Sequence, residues 1–383
     1  MTHIAVLIPG LDRIGGAERQ VILLARGLAE RGWRVTVVAL TGHGGKAAAE
    51  LTASGVRFIS LEMRKGLADP RGWLRFHRRL RLEKPHVVHA HLPHAAWFAR
   101  WSRLGAPVPV LVDTFHTSAT GGIFRRCGYR FSRWLPDRVT CVSHAVADAW
   151  LAARTVSPHT LAVLPNGVDV DACQPDAALR ATMRRRLGLD EEFLWLAAGR
   201  LEAVKDYPTL LRALAALPES ARLVIAGAGP AESQLRLLVR ELRLESRVSF
   251  LGFEPDLYRW MQAADGFVLS SLWEGLPIGL LEAAACALPA VATRVPGTCE
   301  VIVDGESGLL AKVRNPSALA AAMTAVMQLS AEDRQAMGSR ARARVVERFS
   351  LAAVLDQWEA LYAELLASNR TPRRWRWSGR PRT

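Results

Sequence analysis

Short apolar, β-branched runs alternate with longer segments of helical periodicity along most of the chain. Residues 4–10 (IAVLIPG), 33–40 (WRVTVVAL), 86–91 (HVVHAH), 108–116 (VPVLVDTFH) and 138–143 (RVTCVS) read as strands. Residues 17–32 (AERQVILLARGLAERG) carry a helical stripe between the first two. Strands that are apolar throughout, with helices between them, predict a parallel sheet covered on both faces. The rhythm restarts after residues 165–175 (PNGVDVDACQP), with strands expected at 193–200, 222–230, 247–253, 266–271 and 289–294. The pattern predicts an α/β protein of two doubly wound domains, residues 1–168 and 169–349, facing each other across a cleft. A final helix from about Ser350 to Ala367 leads into a basic tail, and residues 350–383 are expected to pack back on the first domain.

Composition supports a globular, two-domain chain: 383 residues, 50% apolar. Five scattered cysteines form no CxxC pair and no His/Cys metal spacing, which argues for a reducing compartment and against structural zinc. The N-terminus (MTHIAVLIPGLDRIGG) has no basic leader and reads as a first strand rather than a signal peptide. No apolar run reaches the length of a membrane span. These features predict a cytoplasmic protein. The net charge of +14 calls for anionic partners, whether nucleic acid, an anionic membrane or a phosphorylated substrate.

In open α/β sheets, ligands sit beyond the carboxyl ends of the strands, so the polar residues there carry the functional reading. SLWEGLPIGLLEAAACALP (271–289) follows a predicted strand. Gly275, Pro277 and Gly279 rule out an uninterrupted helix before Ile278, and Pro277 suits a first turn. Glycines beside a helix start expose N–H groups that attract anions. Glu274 lies in that loop and Glu282 about a turn and a half into the helix. Both fit a pocket rich in hydroxyl donors, and a ribose diol suits Glu282. The alternative is a helix cap at Glu274 and a solvent-facing Glu282. GRLEAVKDY (199–207) places Arg200 and Lys205 at another strand end, where a planar fork and a point charge suit phosphate oxygens.

These stretches together resemble the large retaining family 4 of glycosyltransferases with the GT-B fold. The resemblance rests on GGAE (15–18), PNGVD (165–169), GRL…K (199–205), the E-x7-E pair Glu274 and Glu282, and DGESGLL (304–310), and it covers about residues 4–365. It implies two Rossmann-like domains, the second binding a nucleotide-diphosphate sugar, with uridine the commonest base. It implies that Arg200 and Lys205 hold the diphosphate and that Glu282 accepts from the ribose. Glu274 would face the transferred sugar, and Gly275, Leu276 and Pro277 would offer backbone groups to it. Gly15 and Gly16 would approach the diphosphate, and His116 the sugar near its reacting carbon. Two departures stand out: Leu288 replaces a frequent glycine, and VPGTCE matches the family's Pro-Glu only loosely, at Glu300.

No metal and no resident cofactor are expected. His89, His91 and His94 lack a carboxylate or cysteine to complete a metal site. The DxD of Asp169 and Asp171 falls in the linker and reads as hinge. GAGPAE (227–232) lacks the third glycine of a dinucleotide fingerprint. Arginines interleave with aromatic residues at 71–84 and 124–134, and residues 370–383 hold six arginines and two tryptophans without an acid. Such segments suit an anionic membrane, and no nucleic-acid-binding motif accompanies them. The expected function is therefore retaining sugar transfer to a lipid-linked or cell-surface glycan, peripherally on the inner face of the membrane. The alternatives are a nucleotide-sugar epimerase and a non-catalytic nucleotide- or membrane-binding protein.

Overall fold

The computed structural model describes residues 1–64, 69–106, 108–189 and 191–370. Its first sheet contains β1 (His3–Ile8), β2 (Arg34–Ala39), β3 (Arg57–Ser60), β4 (Val87–His91), β5 (Val110–Phe115), β6 (Arg138–Cys141) and β7 (Leu161–Val163). All pair in parallel, in the order β3-β2-β1-β4-β5-β6-β7. The second sheet contains β8 (Phe193–Ala198), β9 (Ala221–Ala226), β10 (Val248–Gly252), β11 (Gly266–Leu269), β12 (Ala290–Thr293) and β13 (Leu309–Ala311). It is also parallel, in the order β10-β9-β8-β11-β12-β13. Each order reverses beside its first strand, at β1/β4 and at β8/β11, where a doubly wound sheet opens a crevice for ligand. The central strands are buried on both faces, which accounts for their lack of polar alternation.

The sequence pattern misses β3, β7 and β13. β3 and β7 are the two edges of the first sheet, and β13 is one edge of the second. All three are three or four residues long and only partly buried.

The chain passes between the domains twice. The outgoing segment, Asn166 to Val168, lies against the return at Phe349 to Leu351. The Val168 amide donates to the Phe349 carbonyl (2.8 Å) and the Leu351 amide to the Val168 carbonyl (2.8 Å). Asp169 does not face the cleft: its Oδ1 accepts from the amides of Asp171 (3.2 Å) and Ala172 (2.9 Å), closing a linker turn. The helix Leu351–Arg370 then packs on the first domain through Val354, Leu355, Trp358, Leu361, Tyr362 and Leu365. Arg31 fixes it by ion pairs to Asp356 (2.6 Å) and Glu359 (2.7 Å). The basic tail beyond Arg370 lies outside the described residues.

The helices Pro70–Glu83, Pro93–Ser102 and Ile123–Phe131 are neighbours on the first domain. Trp73 packs on Phe98 with ring centroids 4.4 Å apart, and Gly128 lies against the Trp97 indole. Their outer surface exposes Leu74, Trp97, Trp101, Phe124, Phe131 and Trp134 among arginines. Among the described residues, no helix is long and apolar enough to cross a membrane.

Candidate active site

The site assembles where the carboxyl ends of β1 and β5 in the first domain meet those of β8 and β11 in the second. β11 ends at Leu269, and the loop after it carries Ser271 and Glu274 before Pro277 caps the helix Ile278–Ala285. Glu274 is buried. Its Oε1 accepts from Lys205 Nζ (2.6 Å) and from Ser271 Oγ (2.6 Å). Lys205 closes a short turn after β8, and Ser270 Oγ donates to its carbonyl (2.7 Å). The predicted sugar-facing carboxylate and the predicted phosphate-binding lysine therefore form one ion pair, locked by the strand-end serine.

Glu282, the fifth residue of Ile278–Ala285, meets the other domain. Arg19 Nε lies 3.1 Å from its Oε1. Burial raises the Glu282 carboxyl from its ordinary range, and the Arg19 guanidinium opposes that shift. The solvent-facing alternative for Glu282 does not hold. Arg19 follows the GGAE stretch directly. Its helix, Gly16–Glu30, starts against the start of the second-domain helix: a Cβ on Gly16 would lie 3.0 Å from Ile278 Cδ1. The two domains approach closely there, and a larger residue at 16 would push on the Ile278 side chain. The Gly15 amide donates to Glu18 Oε2 (3.0 Å), a capping contact within its own helix.

The loop 275–277 is seated on the first domain. A Cβ on Gly275 would stand 2.7 Å from the His116 carbonyl oxygen. Leu276 is buried, and its carbonyl accepts from Asn166 Nδ2 (3.3 Å). His116 thus reaches the loop through its backbone, while its imidazole turns inward to His91 (Nε2 to Nδ1, 3.1 Å). Burial lowers His116 to about 4 despite the Asn166 amide, so the ring is neutral near pH 7. His91 is pushed well below its ordinary value by burial and its two histidine neighbours. His94 stands apart from this stack, beside Arg125 (3.3 Å). Among the described residues, no three His, Cys, Asp or Glu side chains stand close enough to hold a metal ion.

Arg200 is not drawn into the cluster. Its guanidinium is exposed and donates to Glu202 Oε1 (2.8 Å). Glu300, the loose match, bridges domains: its Oε1 accepts from the Ala145 amide (3.2 Å) at the start of the helix His144–Ala152. Sequence reasoning missed Arg19, Ser271 and Asn166. Asn166 lies inside the quoted PNGVD stretch, and Arg19 directly follows the other quoted motif. Neither carries a linear signal of its role, because each acts on a segment distant in the chain.

Comparison with known proteins identifies the family and the fold. Residues 14–172 match the family described as Glycosyltransferase Family 4, and residues 180–344 match Glycosyl transferases group 1. The chain is 30% identical to a D-inositol 3-phosphate glycosyltransferase of Xylanimonas cellulosilytica, covering 96% of this chain and 95% of the relative. It is 26% identical to the UDP-Gal:alpha-D-GlcNAc-diphosphoundecaprenol alpha-1,3-galactosyltransferase of Escherichia coli, covering 79% and 81%. Anabaena HepE, solved with UDP and glucose, superposes with a TM-score of 0.84 over 95% of this chain and all of that one, at 21% identity. These relatives are transferases and lend no support to an epimerase or a non-catalytic binder. The chain belongs to the family 4, group 1 glycosyltransferases: it is an enzyme of the GT-B fold that transfers a sugar.

Proposed function

We propose that the enzyme moves a hexose from a nucleotide-diphosphate sugar, with UDP as the nucleotide, to a phosphorylated lipid-linked acceptor, with retention at the anomeric carbon. The observation that carries the donor half is the convergence at the cleft. The Lys205–Glu274 pair, Glu282 and the 275–277 loop belong to one domain, and the Gly15–Gly16 turn of the other is pressed on the same helix. Hydroxyls of the ribose and the sugar supply partners for the two carboxylates. The diphosphate supplies a partner for Lys205 and, on rotation away from Glu202, for Arg200.

The anomeric carbon–oxygen bond to phosphate breaks, and the acceptor hydroxyl forms the new bond on the same face. Its proton passes to the leaving phosphate oxygen. Lys205, Arg200 and the N-terminus of Ile278–Ala285 offset the negative charge that grows on that phosphate, so the step needs no metal. Neutral His116 presents its carbonyl, rather than a charge, toward the sugar loop.

The acceptor half rests on the outer face of the first domain. The helix Ile123–Phe131 (IFRRCGYRF) carries arginines and aromatics and no acid, and Pro70–Glu83 carries five arginines and one acid. Such a face suits an anionic bilayer surface. The acceptor in the Escherichia coli relative's name is a diphosphoundecaprenol, which fits a lipid-linked substrate presented at that surface.

Thermal unfolding with UDP, GDP and ADP tests the donor reading. A ligand at about 100 times its Kd adds about 2.7 kcal/mol. UDP is expected to raise the midpoint of the wild type and to shift Glu282→Ala far less, and a response to GDP or ADP alone would overturn uridine as the base. A flat response to all three would overturn the donor assignment.

A further inference from the structure

The Arg19–Glu282 contact joins the first turn of one helix to the second turn of another, and the two helices belong to different domains. Only 14% of the Glu282 side chain is exposed, against 50% for Arg19. Arg19 is the only charged side chain paired with Glu282 among the described residues, and it engages Oε1 and leaves Oε2 without a side-chain partner. One turn further on, just past the end of that helix, Cys286 is a buried thiol whose Sγ donates to Met261 Sδ (3.9 Å). Beside it, Gly16 lies against the Ile278 side chain, so the two helix starts stand close together.

We infer that Arg19 is a positioning residue for the nucleotide: its guanidinium clamps one oxygen of Glu282 across the cleft, so that the donor ribose meets an oriented acceptor only when the two domains are closed. The inference rests on the assignment of Glu282 to the ribose. An isolated surface ion pair contributes little, but a largely buried carboxylate loses its ionised form readily once its cation is gone. Arg19 sits on the first domain and Glu282 on the second. Opening the cleft therefore withdraws the clamp and weakens nucleotide binding with no change in the second domain itself. Product release and cleft opening become one event.

Calorimetric titration of the full chain with UDP, and with GDP in parallel, between pH 5.5 and 8 tests this. The proteins are wild type, Arg19→Ala, Arg19→Lys, Glu282→Ala and the Arg19→Ala/Glu282→Ala double variant. Arg19→Ala is expected to weaken binding about tenfold at pH 7, which is about 1.4 kcal/mol. The loss deepens toward pH 5.5, because the unpaired carboxyl takes its proton at higher pH. Arg19→Lys recovers most of the affinity. In the Glu282→Ala background, Arg19→Ala changes affinity by less than about twofold, since its partner is already gone. Equal losses with and without Glu282 would make Arg19 a direct phosphate ligand and overturn the clamp. A loss in Glu282→Ala with none in Arg19→Ala would overturn the role of Arg19 alone. Wild-type affinity in Glu282→Ala would instead overturn the ribose assignment.

Discussion

Lys205 and Glu274 make the case at the residue scale. Both are largely buried, so each charge depends on the other, and Ser271 Oγ donates to the same carboxylate oxygen. Breaking a buried pair costs about 3–5 kcal/mol, because the survivor is left uncompensated. Lys205→Met is therefore expected to lower stability by about that amount and kcat by about 100-fold or more, on the scale of removing one preorganised charge from a reacting phosphate. Adding Glu274→Gln should restore most of the stability and none of the activity. Denaturant unfolding with turnover assays separates the two effects, and recovered turnover in the double variant would make the pair purely structural. Lys205, Glu274 and Glu282 were legible in the sequence because the motif spacing places them after strands, in a loop and in the helix that follows it. Their partners were only half legible: the sequence argued for hydroxyl donors, and the structure pairs the same carboxylates with Lys205, Ser271 and Arg19. Polar groups in a protein interior find partners before a substrate arrives, and linear spacing does not name them.

Elements position the histidines. β4 ends at His91 and β5 at Phe115, just before His116, so parallel pairing stacks His89, His91 and His116 beside one another. The helix Leu351–Arg370 closes over them. The Tyr362 hydroxyl lies 2.7 Å from His89 Nδ1, and the Thr114 hydroxyl 2.6 Å from His89 Nε2. Burial, aided by His116, lowers His89 to about 3, against an ordinary 6.5. A folded value below the unfolded one means that the unfolded chain binds the proton more readily. Stability is full above pH 6.5 and falls as pH drops through the window from 6.5 toward 4 for His116 and toward 3 for His89. Each neutral histidine contributes about 1.4 kcal/mol per pH unit there. The unfolding midpoint should fall between pH 7 and pH 5, and His89→Gln should flatten that fall while lowering stability at pH 7. An unchanged slope would show that His89 is charged in the fold. The sequence placed His89, His91 and His116 at strand ends but not in a stack, because register between β4 and β5 is not written in either strand. The same limit explains the missed edges: β3, β7 and β13 lack the long two-sided apolar run that made the central strands visible.

At the scale of the molecule, two chain crossings held side by side at Val168 and Ser350 set the hinge, and the helix Leu351–Arg370 returns the chain to the first domain. The proposed lipid-linked acceptor would be presented by the first domain, whose outer surface carries the basic and aromatic face. Phe124 is 91% exposed and Phe131 74%, values that are hard to reconcile with a purely aqueous role for an apolar side chain. Arginines 125, 126 and 130 on the same helix suit lipid phosphates, and the aromatic rings suit the depth of the headgroups. If this face docks, the chain should float with vesicles containing anionic phosphatidylglycerol and sediment free of those made only of phosphatidylcholine. A Phe124→Ser/Phe131→Ser/Trp134→Ser variant should lose flotation and keep its nucleotide-induced thermal shift, since none of the three touches the cleft residues. Raising salt should weaken the wild type in graded fashion, because surface charge is screened over about 10 Å at 0.1 M. Equal recovery with both vesicle types, or a variant that floats like the wild type, would remove the membrane from the acceptor reading. The enzyme would then remain a glycosyltransferase whose acceptor is not presented by a bilayer.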